Sequence, residues 1–147
     1  MDKNLDSDAI LARLDDQISW YDGNSSRNQS RFKLIKTIEI ATAALIPFLT
    51  GLPIPYVLPI TGAMGVVISI LEGTLHLNQY QNNWISYRAT AEALKHEKFI
   101  FLGSAPPYSN ASDPRALLAD RVESLVSQEN SKWASTQLQQ DGKTKTS

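Results

Sequence analysis

An uncharged run of 32 residues, Ile40 to Leu71, constrains this chain more than any other feature. One membrane-spanning helix takes roughly 20 apolar residues, and it does not carry a cluster of prolines at its centre. Gly51, Pro53, Pro55 and Pro59 interrupt the run near its middle. It therefore reads as two helices and a tight turn, one from about Leu34 to about Leu52 and one from about Val57 to about His76. Each would be roughly 28 Å long at ~1.5 Å per residue, close to the ~30 Å hydrocarbon core of a bilayer. The link from Gly51 to Tyr56 is rich in turn formers and ends on an amphipathic tyrosine suited to an interface. The expectation is a transmembrane helical hairpin. The competing reading is a buried hairpin in a soluble bundle. That would require a large core around helices apolar on every side, and the polar flanks offer little to build one.

The mean hydropathy of −0.24 hides this split between an apolar centre and charged ends. With 14 Lys and Arg against 15 Asp and Glu, the net charge is −1 and no basic stripe suggests a nucleic-acid partner. The 147 residues contain no cysteine, which excludes disulfides, thiolate metal sites and cysteine nucleophiles. The first apolar run begins beyond residue 30, after a polar helix, so no signal peptide is expected.

Before the hairpin, Ile10, Leu11, Leu14, Ile18 and Tyr21 have helical spacing, with Ser7 or Asp8 as N-cap. The stretch from Asp22 to Arg31 lacks proline and is read as a continuation of this helix. Arg27, Arg31, Lys33 and Lys36 then form a basic collar. After the hairpin, Leu77, Tyr80, Trp84, Tyr87, Ala91 and Leu94 are spaced 3, 4, 3, 4 and 3 apart, a heptad seam of the kind that packs on partner helices. Tyr80 and Trp84 equally suit an aromatic belt at the membrane surface. A loop rich in Gly, Ser and Pro starts at Gly103, and Asp113-Pro114 opens a last helix with Asp as N-cap and Pro at its first position. Leu118, Val122, Leu125, Glu129 and Trp133 continue it on one face, and beyond Ala134 the Gln- and Lys-rich tail is expected to be disordered. No strand pattern survives, so the fold class is all-α. Basic residues flank both outer ends of the hairpin and are absent from its turn, which puts both termini in the cytoplasm. The sequons at Asn24, Asn28 and Asn110 then face the cytoplasm and read as chance.

Three flanking motifs carry a resemblance: RLDDQISWYDGNSSRNQSRFKLIKTIEI before the hairpin, NWISYRATAEALKHEKFIFL after it, and RVESLVSQENSKW near the end. From about Leu11 to Trp133 the chain is similar to the SLATT-like two-transmembrane family, a prokaryotic domain of unknown function of the DUF4231 type. The resemblance implies a membrane effector of a kind proposed to form pores, often encoded beside nucleotide-signalling defence genes. No sensor domain is expected within these 147 residues.

The second helix of the hairpin divides into two stripes. Ile60, Met64, Val67, Leu71 and Leu75 are apolar, whereas Thr61, Gly65, Ser69, Glu72 and His76 are small or polar. Thr61, Gly65, Ser69 and Gly73 alone would suit close helix packing. Glu72 and His76 point instead to water, because ionisable groups within a span face a bundle interior or an aqueous path. Thr61, Gly65, Ser69, Glu72 and His76 are therefore the candidate pore lining. Glu39 lies at similar depth, so Glu39 and Glu72 form a candidate acidic mouth, which attracts cations if copies surround an axis. The alternative for Glu39 is a pair with Lys36 three residues earlier. Enzymatic signals are weak. Glu92 and His96 are too few for a metal site, Gly62 and Gly65 lie within a span rather than after a strand, and no catalytic triad is evident. Arg88 and Glu92 read as an ordinary helical pair.

The sequence thus predicts a cytoplasmic amphipathic helix over 1–33, the hairpin over 34–76, cytoplasmic helices over 77–134 and a tail over 135–147. The expected protein is a multi-pass, homo-oligomeric pore or ion channel of the inner (plasma) membrane, cation-selective, without cofactor, metal or catalytic residues. Its partners are further copies of itself, the lipid bilayer and permeant ions. Leu77, Tyr80, Trp84, Tyr87 and Leu94 form the expected oligomer seam. The rival is a membrane-anchored helical scaffold or adaptor without a pore, which would need no polar stripe.

Overall fold

The computed structural model describes the backbone of residues 3–53 and 55–144, and side chains from Ala9 to Ser131 apart from residue 54. Among the described residues the fold is all-helical: α1 (Lys3–Thr50), α2 (Val57–Asn78), α3 (Tyr80–Leu102), a 3-10 turn (Tyr108–Asn110) and α4 (Pro114–Thr144). The expected continuation through Asp22 to Arg31 is met, since α1 runs unbroken through it. Pro47 stands in the last turn of α1; lacking an N–H, it gives up the helical bond to the Ala43 carbonyl, and α1 ends three residues later at Thr50. The chain divides into two compact units, Met1–Gly23 with Ser86–Ser147, and Asn24–Ile85.

The first unit is built on a heptad-like core. Leu14 and Tyr21 from α1, Ala91 and Leu94 from α3, Tyr108 from the 3-10 turn, and Leu118 and Val122 from α4 form one buried cluster. Leu14, Leu94 and Leu118 are essentially sealed from solvent. Each stabilises the unit by about 1.5–3 kcal/mol through apolar burial. The loop entering α4 is fixed at both ends. The carboxylate of Asp113 accepts from the backbone N–H of Arg115 at 3.0 Å and of Ala116 at 3.1 Å, the N-cap anticipated from Asp113-Pro114. At the other end, Ser104 takes φ 48° and the N–H groups of Ser104 and Ala105 return to the carbonyls of Phe101 and Ile100. This is a Schellman closure of α3. Beyond Ala134, where the composition predicted disorder, the chain remains helical to Thr144. Gln, Leu and Lys favour helix, and no proline stands after Pro114 to stop it.

The second unit is a helical hairpin. On α1 the half-buried positions include Phe32, Ile35, Glu39, Thr42, Ile46 and Leu49, and on α2 they include Val57, Thr61, Met64, Ile68 and Leu71, followed by the buried Leu75. Steps of three and four on both helices are the mark of a coiled-coil-like seam between antiparallel neighbours. The turn is sharp, and Tyr56 holds φ 65° as the residue before α2. The outward face is apolar: Leu34, Ile40, Phe48, Leu58, Val66 and Ile70 are each more than half exposed.

Among the described residues one helical stretch, Val57–Leu102, rather than the two expected, is apolar enough by length and composition to cross a membrane; its most apolar 18 residues have mean hydropathy 1.6, and 6% of them are buried. The reason lies in α1. The 18-residue window that closes on Thr50 opens on Lys33 and so takes in Lys33, Lys36 and Glu39.

Candidate functional site

The hairpin base brings together the ionisable residues that the sequence analysis singled out. Lys36 Nζ donates to Glu39 at 3.1 Å and to Glu72 at 2.8 Å. The pairing of Lys36 with Glu39 follows from their spacing on one helix. The second arm, across the hairpin to Glu72, has no local sequence signal. It arises because the six-residue turn aligns the two helices so that residues 36 and 72 fall at the same depth. The carboxylates differ in setting, with the Glu39 side chain 15% exposed and that of Glu72 58% exposed. His76, one turn beyond Glu72, is exposed. Two carboxylates share one ammonium, so the cluster carries a net −1 when His76 is neutral.

The expected polar stripe of α2 runs along one edge of the seam. Thr61 and Gly65 are half-buried beside it, while Ser69, Glu72 and His76 are exposed. At ~100° per residue the stripe centres roughly a quarter turn from the seam. Its hydroxyls are satisfied within the helix: Thr61 Oγ1 donates to the Val57 carbonyl at 3.0 Å and Ser69 Oγ to the Gly65 carbonyl at 3.0 Å. Thr42 and Thr74 do the same. Such back-bonding makes a hydroxyl compatible with a dry surface as well as a wet one. A Cβ added at Gly62, Gly65 or Gly73 would meet nothing within 4 Å, so these glycines leave open backbone on the surface of the hairpin.

The seam expected from Leu77 to Leu94 is divided. Gln79 adopts a left-handed conformation, φ 47°, that ends α2 and separates Leu77 from the rest. Leu77 is 83% exposed, and Tyr80 and Trp84 are half-buried within the hairpin unit. Tyr87 and Leu94 belong to the core of the other unit, where Leu94 is fully buried. Their apolar surface is already covered within one chain.

Sequence reasoning missed the burial and the partners of three further residues, although it placed Glu129 on the face of α4. Ser25, buried in the hairpin unit, donates to the Trp84 carbonyl at 2.9 Å. In the first unit Glu97 is buried and receives a bidentate guanidinium from Arg121, at 2.9 and 2.6 Å, together with the Tyr108 hydroxyl at 2.6 Å. The Arg121 guanidinium holds the Glu97 carboxyl below the usual carboxylate range, against a smaller opposing effect of burial. Glu129 is buried too, and there desolvation pushes the carboxyl up, opposed by a hydrogen bond from Tyr21. Burial and the Glu129 charge raise the Tyr21 phenol to about 12. Glu97 continues the face of Tyr87, Ala91 and Leu94, and Glu129 that of Leu118, Val122 and Leu125. A carboxylate in register with a core stripe is the signal that could have found both. Glu92, half of the rejected metal pair, bonds Arg88 at 3.0 Å and Lys95 at 3.2 Å.

Compared with known proteins, residues 16–116 match the model of a family described as a protein of unknown function, DUF4231. No curated protein and no solved structure matches the chain.

Proposed function

Since the chain belongs to the DUF4231 family, whose description assigns no activity, its role must come from its own residues, and we propose an oligomeric membrane pore that passes cations. In this reading α1 from about Leu34 and α2 both cross the plasma membrane, and both termini are cytoplasmic. Several copies surround an axis, because one hairpin cannot enclose water. The observation that carries the reading is the cluster of Lys36, Glu39 and Glu72, with Glu72 the more exposed carboxylate and His76 beside it. An ion cluster that exposes one carboxylate, Glu72, at the surface of the hairpin is costly against lipid and inexpensive against water. Its net −1, repeated once per subunit, favours cations. The resemblance to membrane effectors of a kind proposed to form pores extends the proposal to a role in prokaryotic signalling or defence. A second reading, a membrane-anchored scaffold, is favoured by the hydroxyls of Thr61 and Ser69, which satisfy themselves without a lumen.

Reversal potential across a planar bilayer under a salt gradient separates the two. A unit charge about 8 Å from a permeant ion contributes about 2 kcal/mol at an effective dielectric of ~20. Glu72→Gln should therefore relax cation selectivity by up to about thirtyfold, at ~1.4 kcal/mol per tenfold, and Lys36→Gln should sharpen it by freeing both carboxylates. Anion-selective currents from the wild type, or selectivity untouched by Glu72→Gln, would remove Glu72 from the conduction path.

A further inference from the structure

The first unit holds a cleft, half open to solvent, that the pore reading does not use. It lies between α3 and α4, has a volume of about 140 Å³, and is lined by Ser86, Ala89, Thr90 and Ala93 on one side and Leu125, Gln128 and Glu129 on the other. Its origin is in the sequence. Four small side chains over two turns of α3 leave space that the larger residues of α4 do not fill. The volume equals the share of about five water molecules at ~30 Å³ each.

Glu129 decides what that space accepts. The residue is 8% exposed, and no described basic side chain lies within ion-pair distance of it, unlike the buried Glu97 with its guanidinium. Tyr21 from α1 supplies a phenol hydrogen bond, and Tyr87 from α3 is the other titratable group that feels its charge. A phenol donates one hydrogen bond, whereas a carboxylate accepts several. Glu129 lines the cleft together with the polar side chains of Ser86, Thr90 and Gln128 and the methyls of Ala89 and Ala93. An anion is excluded by the carboxylate. A bare metal ion would find a single carboxylate where it needs several ligands.

We infer that this cleft is a binding site for a small organic cation bearing N–H donors and a short apolar body, of the primary alkylammonium class, with Glu129 as its counter-ion. The ammonium bonds the Glu129 carboxylate and the neighbouring hydroxyls, and the alkyl chain lies against Ala89, Ala93 and Leu125. The ligand competes with the proton for Glu129, so it binds more weakly in acid.

Ethylammonium chloride, titrated calorimetrically into the full-length protein in detergent at neutral pH, is the probe, with sodium chloride at equal ionic strength as reference. The wild type should bind ethylammonium, and Glu129→Gln, which keeps the shape and removes the charge, should weaken it at least about tenfold, the equivalent of ~1.4 kcal/mol. Ala93→Leu fills the cleft while keeping the carboxylate and should weaken binding comparably. Circular dichroism of both variants confirms that they remain folded. Ethylammonium binding no different from sodium, or equal binding by the wild type and both variants, would overturn the assignment. Conductance through the hairpin does not enter either outcome.

Discussion

Glu97 and Glu129 are buried carboxylates in the same unit whose protonation acts on stability with opposite sign. The folded-state pKa of Glu97 is depressed, so its contribution is complete above the unfolded value of 4.5 and is lost as pH falls through the lower folded value. That of Glu129 is raised, so its ionised form destabilises the fold, and the penalty grows as pH rises from 4.5 through the folded value. Arg121→Met strands the Glu97 charge and should cost about 3 kcal/mol at neutral pH, the lower end for a broken buried pair because the Arg121 side chain is 42% exposed. Chemical denaturation at pH 7 and again below pH 4.5 checks the sign, since protonation of Glu97 in the variant should shrink the difference. Glu129 stood on the face read from Leu118, Val122 and Leu125, whereas Glu97 did not announce itself locally. A Glu in a core stripe is found in sequence only by trusting periodicity over polarity, and its partner Arg121 lies 24 residues away.

Among the elements, the turn, the start of α2 and the N-cap of α4 were legible because each depends on nearest neighbours: Gly51 to Tyr56 on turn chemistry, Asp113-Pro114 on one carboxylate and one missing N–H. The face that each helix buries was less so. Val57, Thr61, Met64, Ile68, Leu71 and Leu75 draw on both of the stripes separated by polarity, since the seam obeys the direction of α1 and not hydropathy. Likewise the run from Leu77 to Leu94 looked like one surface, but the left-handed Gln79 breaks it, and Leu94 packs with Leu14 and Leu118. Leu94→Ala should therefore cost about 2–5 kcal/mol of stability in the first unit, as for any large-to-small change in a sealed core. A lower denaturation midpoint with unaltered oligomer mass would place Leu94 in the intrachain core. A lighter particle at unchanged midpoint would return it to the subunit interface.

For the whole molecule, the all-helical class and the DUF4231 membership followed from the order of motifs around an apolar run, which survives without any knowledge of side-chain contacts. In the proposed pore the apolar outward face of the hairpin meets lipid and further copies of the chain, neither of which is encoded in local spacing. The absence of cysteine makes a single-cysteine scan of α2 in liposomes the most direct measurement. With a membrane-impermeant, water-soluble thiol reagent, the pore account predicts labelling at Ser69 and His76 on the polar edge, and protection at Val66 and Ile70 on the lipid face and at Ile68 in the seam. Protection at Ser69 and His76 equal to that at Ile70, or labelling that ignores the helical period, would contradict it.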